Sequence, residues 1–321
     1  MIGKRRNLAS LIPPATLYHG SVKMTKKNTP KIAVIGFGEA GSCLCQGWGR
    51  SDVRAFDIKQ IDDTNIAADK TRQMQDAGVI IGDDAASTVR EADMIFSTVT
   101  ADQAHAAANA VAKGIRQGAY FYDLNSCAPS TKQKNAAIIT EAGGYYVDVA
   151  VMATITPKYH QTAMLVAGEH AEAAIALMVA LDMEPVHVPG PVGRASTIKM
   201  IRSVLVKGIE ALTAECFSAA TIAGVADEVA ASLDASQTKD GWKDQAAYNM
   251  ERMTTHGIRR AAEMREVAIT LADLNIAGRM TAGTIAWQDQ FGNLGLSLLD
   301  TEGLEPRLST IQTALDAQKG D

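Results

Sequence analysis

Three glycines at fixed spacing are the first residues in this chain whose pattern implies chemistry. Gly36, Gly38 and Gly41 sit in "KIAVIGFGEAGS", where a short β-branched run passes directly into a segment of helical character. In a strand–turn–helix the three glycines serve different mechanical ends, namely a tight turn, close approach of a pyrophosphate to the backbone, and close packing of helix on strand. The helix that follows turns N–H groups and the positive end of its dipole toward the phosphates. Phe37, Glu39 and Ala40 complete this expected cofactor-binding turn. The next strand-like run, "VRAFD", ends in Asp57, 21 residues after Gly36, where a carboxylate accepts hydrogen bonds from an adenosine ribose. Dinucleotide binding is therefore expected. Asp57 would repel a 2′-phosphate, which favours NAD, whereas Lys59 could attract one, as NADP requires. The acid tips the reading toward NAD. Thr98, Val99 and Thr100 close the run "DMIFSTVT" and are further expected cofactor contacts, since open α/β sheets gather ligands at the carboxyl ends of their strands.

Other candidates are less self-explanatory. "STIKMIRSVL" places Lys199 and Arg202 three residues apart in an otherwise apolar helical run. Long cationic side chains can lay their stems on apolar surface and keep their charge in water, so this spacing alone demands no ligand. In "DLNSCAP" (123–129), Asn125 and Ser126 follow a strand-like run. They could hold a substrate hydroxyl or carboxylate, or simply make a turn.

The elements that must position these residues alternate. Eight short β-branched or aromatic runs lie between Lys31 and Pro189: "KIAVIG", "VRAFD", "GVIIG", "DMIFSTV", "AYFYDL", "YYVDVAV", "TAMLVAG" and "EPVHVPG". Ala-rich helical segments such as "ADQAHAAANAVAKGI" separate them, which predicts an α/β fold, a doubly wound, mainly parallel Rossmann sheet covered on both faces. Beyond Pro191 strand signals vanish, and long helical patterns predict an all-α second domain over 191–321 after a dinucleotide-binding domain over 31–190. Residues 1–30 carry six basic residues and no acid, and are expected to be a disordered extension, with Met24 a natural start.

The bulk numbers agree with a globular chain of one large or two ordinary domains. Of 321 residues, 47% are hydrophobic and 21% charged, and the net charge of −5 gives no electrostatic case for nucleic acid or an anionic membrane. No segment has the roughly 18 uninterrupted apolar residues of a membrane span. Four cysteines in this length, with no export signal, make no disulfide framework, and neither they nor the six histidines fall at metal-ligand spacing. A cytoplasmic protein with small-molecule partners and no metal is expected.

These motifs together resemble the β-hydroxyacid dehydrogenase family, which includes 3-hydroxyisobutyrate and 6-phosphogluconate dehydrogenases. The likeness runs from Lys31 over nearly the whole chain and is greatest to 6-phosphogluconate dehydrogenase-like NAD(P)-binding oxidoreductases of unassigned substrate. "DLNSCAP" is similar to the family's substrate motif D-x-S-T-x-x-P, with Asn125 and Ser126 in place of serine and threonine. "DVAVMAT" (148–154) is similar to D-A-P-V-S-G-G, but Met152, Ala153 and Thr154 replace the Ser-Gly-Gly that cradles a substrate carboxylate, implying a bulkier, less polar substrate end. "GRASTIK" resembles G-x-G-x-x-x-K, and puts Lys199 on the catalytic lysine. The resemblance places this lysine on a helix between two domains. There, desolvation and a nearby cation such as Arg202 would lower its pKa, suiting it to take the proton of a substrate alcohol as hydride leaves. Ser203 stands where the family has an asparagine, and "REVAIT" resembles K-D-L-x-L-A, with Arg265 as a ligand contact. His256 and Arg260, four apart on one helical face, could present a cationic end to an acidic substrate, or be laced into helix-surface ion pairs.

The resemblance thus implies NAD(P)-dependent hydride transfer on a β-hydroxy acid or related sugar or polyol acid, with Lys199 as general acid/base. It also implies a homodimer formed through the helical domain. The alternatives are an imine or aldehyde reductase on the same fold and a non-catalytic NAD(P)-binding sensor.

Overall fold

The computed structural model describes residues 29–61, 65–222, 224–236, 242–273, 278–298 and 303–318. The basic extension expected over residues 1–30 lies outside the described residues except for its last two. All eight strand-like runs form strands of one sheet: β1 (Ile32–Ile35), β2 (Arg54–Phe56), β3 (Ile80–Ile81), β4 (Met94–Ser97), β5 (Tyr120–Asp123), β6 (Tyr145–Val151), β7 (Met164–Ala167) and β8 (Pro185–His187). Their order is β3-β2-β1-β4-β5-β6-β7-β8. Every neighbouring pair is parallel except β6 and β7. The fold is thus a mainly parallel Rossmann sheet followed by helices.

The first and fourth strands are buried at every position, as expected of strands covered on both faces. Ile32 and Val34 face one core cluster with Leu44, Met94, Phe96 and Tyr122, while Ala33 and Ile35 face another with Ile95, Val111 and Phe121. The period of two in a strand sends alternate side chains into the two layers of helices. Those layers are α1 (Glu39–Trp48), α2 (Asn65–Asp76), α3 (Ala85–Val89), α4 (Ala104–Ala112), α5 (Pro129–Glu141) and α6 (Ala171–Ala180). In the first core Phe96 stacks on Tyr122 with centroids 4.7 Å apart, and the Tyr122 hydroxyl donates to the Ala174 carbonyl.

The chain divides into two compact units at Lys199 and Met200. The division falls inside α7 (Arg194–Ile222), not at the end of the strand pattern near residue 190. The second unit continues with α8 (Ala226–Ser236), α9 (Trp242–Asp273), α10 (Arg279–Gly292) and α11 (Leu304–Ala317). Phe217, Met250, Met253, Phe291, Leu308 and Ile311 form its main core, with both methionines of "NMERM" inside it. Among the described residues no helix is long and apolar enough to cross a membrane.

Helices α9 and α10 meet where neither has a side chain. A Cβ on Gly257 would fall on the Gln288 carbonyl, and one on Gly292 would fall on the backbone of Gly257 and Ile258. Gly283, also in α10, has open space around it. The same substitution should therefore act with opposite signs. Gly257→Ala should destabilise by about 1–3 kcal/mol through overpacking, while Gly283→Ala should stabilise by about 0.5–1 kcal/mol through helix propensity. Urea unfolding followed by circular dichroism measures both.

Candidate functional site

The site is built from the carboxyl ends of parallel strands. Strand β1 lies between β2 and β4, so chain connections leave it in opposite directions, and an open α/β sheet forms its ligand crevice at such a point. After β1 the three glycines do three different things. Gly36 has φ +91°, and a Cβ there would stand 2.7 Å from the Thr98 carbonyl oxygen. Gly41 packs α1 onto the loop so closely that a Cβ would strike the Gly36 carbonyl. Gly38 alone has nothing within 4 Å of where its Cβ would be. It also caps the start of α1 with no side chain covering the helix end. That open cradle at a helix N-terminus fits a pyrophosphate, which approaches backbone N–H groups directly.

Neighbouring residues hold the loop. Thr98 donates its hydroxyl to the Gly36 carbonyl at 2.6 Å and its N–H to Ile35 at 2.8 Å. Val99 is half-buried against that turn, while Thr100 is exposed. The Asp57 carboxylate accepts from the N–H of Phe37 at 2.6 Å and from that of Lys59 at 2.9 Å. Asp57 is only 8% exposed, and each oxygen keeps a lone pair for a ribose hydroxyl. Phe37 is buried, Glu39 is exposed, Ala40 is half-buried, and the Lys59 side chain lies at the surface. Lys70 on α2, not expected from the sequence, donates to the Phe37 carbonyl at 2.7 Å. No motif marks it, because it lies 33 residues from its partner.

After β5, Asn125 is buried and its amide donates to the Ser97 hydroxyl at 2.9 Å. Its side-chain carbonyl oxygen is buried with no partner among the described residues. A buried amide oxygen left unmatched calls for a donor from outside the chain. Beside it, the Lys199 ammonium donates to the Ser126 hydroxyl at 2.5 Å. The structure thus brings together two motifs 73 residues apart in sequence.

An ionic cluster lies beneath this pair. Asp123 ends β5, and Asp148, midway along the adjacent β6, stands in direct register with it; both are fully buried. Lys132 on α5, also fully buried, places its ammonium 3.0 Å from Asp123 and 3.6 Å from Asp148. Asp123 further accepts from Tyr146 at 2.7 Å, Asn135 at 3.3 Å and the N–H of Asn125 at 3.0 Å. Asp148 accepts from the N–H groups of Gly193 and Ser196 at 3.0 and 3.2 Å, and from the Ser196 hydroxyl at 2.6 Å. A strand carboxylate therefore caps the helix that carries Lys199. Burial alone would push the Lys132 ammonium down, but the two carboxylates outweigh it and raise its pKa above the usual lysine value. A raised folded pKa adds stability that is complete below about 10.4, the unfolded value, and is lost only as pH climbs through the raised one. Lys132 thus keeps its charge over the neutral range. Burial and the adjacent Asp123 likewise hold the Tyr146 phenol protonated.

Other expected contacts are placed differently. Met152 is 6% exposed and packs with Leu165, Ala167, Val188 and Ala195, while its N–H donates to the Ala163 carbonyl. Its side chain is core rather than substrate surface, because the end of β6 turns it inward under the start of α7. Ala153 and Thr154 are exposed. Within the second unit, Arg202 is exposed and Ser203 is buried. His256 is half-buried. Arg260 is 6% exposed and ion-paired to Glu210, which also accepts from Gln288. It serves as a counter-ion inside the helical unit instead of joining His256 as an open cationic end. Arg265 is an exposed cation paired to Asp289 on α10.

Comparison with known proteins places the fold. The NAD binding domain of 6-phosphogluconate dehydrogenase matches residues 31–182, and a domain of unknown function, DUF1932, matches residues 220–291. A conserved hypothetical protein from Sinorhizobium meliloti 1021 is 32% identical, covering 89% of this chain and 97% of its own, with a TM-score of 0.68. An uncharacterized 28.5 kDa protein of Methanothermus fervidus is 29% identical over 74% of this chain and 89% of its own. Mycobacterium tuberculosis 3-hydroxyisobutyrate dehydrogenase, solved with L-serine, shares the fold at 15% identity and a TM-score of 0.66, over 89% of this chain and 99% of that one. The fold is similar to that of 3-hydroxyacid dehydrogenases, and its first domain is an NAD(P)-binding one. Within that class, the chain belongs to the 6-phosphogluconate dehydrogenase-like NAD(P)-binding family, in the branch whose helical part is DUF1932.

The open space at Gly38 separates binding from folding. Gly38→Ala should leave the urea midpoint almost unchanged yet weaken dinucleotide binding by about tenfold or more, as the methyl holds phosphates off the helix N-terminus. Quenching of protein fluorescence by NADH measures the affinity.

Proposed function

We propose that this protein is an NAD(P)-dependent dehydrogenase, oxidising a β-hydroxy acid or a related sugar or polyol acid, or running the reverse reduction. The observation that carries the reading is the 2.5 Å hydrogen bond from the Lys199 ammonium to Ser126, beside the orphaned oxygen of buried Asn125. A lysine, a hydroxyl and an unmatched amide at the ends of parallel strands form a site for a carbon bearing oxygen.

In this reading Gly36 to Gly41 hold the pyrophosphate, and Asp57 holds the adenosine ribose. The carboxylate at Asp57 favours NAD over NADP. The nicotinamide, when bound, supplies the hydride acceptor or donor. The Ser126 hydroxyl orients the substrate oxygen toward the Lys199 amine, and the Asn125 amide oxygen, an acceptor, takes a further substrate donor such as a second hydroxyl. The neutral amine takes the hydroxyl proton as the carbon–hydrogen bond breaks, leaving a carbonyl. In the reverse direction the ammonium returns that proton to the forming alkoxide oxygen. Proton transfer by a positioned group contributes about 10²–10⁴-fold to such a step.

Oxidation of a panel of β-hydroxy and sugar acids, with NAD and NADP supplied separately, tests the reading. Lys199→Ala should lower kcat by about 100-fold or more while leaving the dissociation constant for NADH within a factor of about two, since the lysine acts on substrate. Undiminished turnover in that variant would remove the proton-transfer role. Cofactor binding without turnover of any acid would redirect the search to imines and aldehydes.

A further inference from the structure

The buried Lys132 has no part in the chemistry just proposed, and its surroundings say why it is there. Asp123 and Asp148 stand in register on adjacent strands, each fully buried, and like charges placed directly opposite in a sheet repel. Each carboxylate holds one half of the site. Asp123 fixes the N–H of Asn125, at the start of the loop that carries Ser126. Asp148 fixes Gly193, just before α7, and Ser196 in its first turn, one turn before Lys199. Lys132 reaches both acids from α5, and its ammonium also faces the Val149 carbonyl at 3.4 Å.

We propose that Lys132 is a positioning residue: its single ammonium, shared by Asp123 and Asp148, keeps the Ser126 loop and the start of α7 in register, so that Lys199 meets Ser126. Lys132 itself is fully buried and touches neither Ser126 nor Lys199 among its contacts, so it acts through the two carboxylates. Without it, the paired acids would repel, and one would take up a proton or turn away. Either response loosens a hydrogen-bonded anchor of the site. Its catalytic consequence rests on the reading of Lys199 as the proton-transfer residue; its structural content does not.

Trace acetylation with acetic anhydride reads the placement of Lys199 without any need for turnover. Peptide mass spectrometry gives its labelling rate relative to the exposed Lys113 in the same full-length protein. The ratio cancels changes in reagent, and overall stability does not alter it while the protein remains folded. In Lys132→Met, the ratio should rise by about tenfold, the factor that losing a hydrogen bond from a charged group is worth. Should Lys132→Met not fold, Asp148→Asn decides the matter: it leaves Lys132 and Asp123 as a balanced pair and weakens only the grip on α7, and the ratio should again rise several-fold. An unchanged ratio in the folded variant that decides the test overturns the proposal. Turnover that survives Lys199→Ala would overturn the catalytic reading instead, leaving the labelling result to stand on its own.

Discussion

Two buried carboxylates around one ammonium organise this site. Asp123 and Asp148 could not sit side by side in the sheet interior without Lys132 between them. Removing one member of such a buried group costs on the order of 3–5 kcal/mol, because a charge is left uncompensated. An apolar replacement of the whole cluster could be as stable. Such a replacement would not supply acceptors to the N–H of Asn125, or to Gly193 and Ser196 at the head of α7. The charges tie together segments that are distant in sequence, and the hydrogen bonds they accept fix where those segments end.

The cofactor side depends on packing more than on charge. Gly36 and Gly41 are glycines because the Thr98 backbone and α1 leave no room, whereas Gly38 is open on the side a ligand would use. Asp57 adds the one strongly polar element, locked by two backbone N–H groups so that its carboxylate keeps a fixed direction. A rigid acceptor loses little on binding a ribose, since no side chain must be ordered at that moment. Lys70 fixes the same loop from the opposite side.

Legibility in the sequence followed the range of each constraint. The strands could be read because burial on both faces demands continuous apolar runs, and all eight formed. The glycine loop could be read because a strand–turn–helix that admits a pyrophosphate fixes the spacing of its glycines within a few residues. The buried role of Lys132 could not be read from "PSTKQKN", a polar stretch like any exposed first turn of a helix. Its partners lie 9 and 16 residues away on two strands, and only their register makes them neighbours. A signal existed nonetheless. "YFYD" ends an apolar strand in an acid and "YYVDVAV" carries one at its middle, and two buried acids require a cation nearby. The surroundings of Met152 and Arg260 were hidden for the same reason: Met152 packs into the core just after β6, and Glu210, 50 residues away, ion-pairs with Arg260 inside the helical unit. Helix α10, with two glycines in its span, gave little periodic signal and is held by its close crossing with α9.

The central claim is that the buried cluster serves chemistry through Lys199. A double-mutant cycle in kcat/KM tests it most directly, with Lys132→Met and Lys199→Ala made singly and together on the substrate found to turn over. Residues that act as one unit are strongly non-additive. Lys132→Met should impair the wild type severely yet change the Lys199→Ala variant by less than about twofold. Equal losses in both backgrounds would contradict it, showing that the cluster supports the fold without directing the lysine.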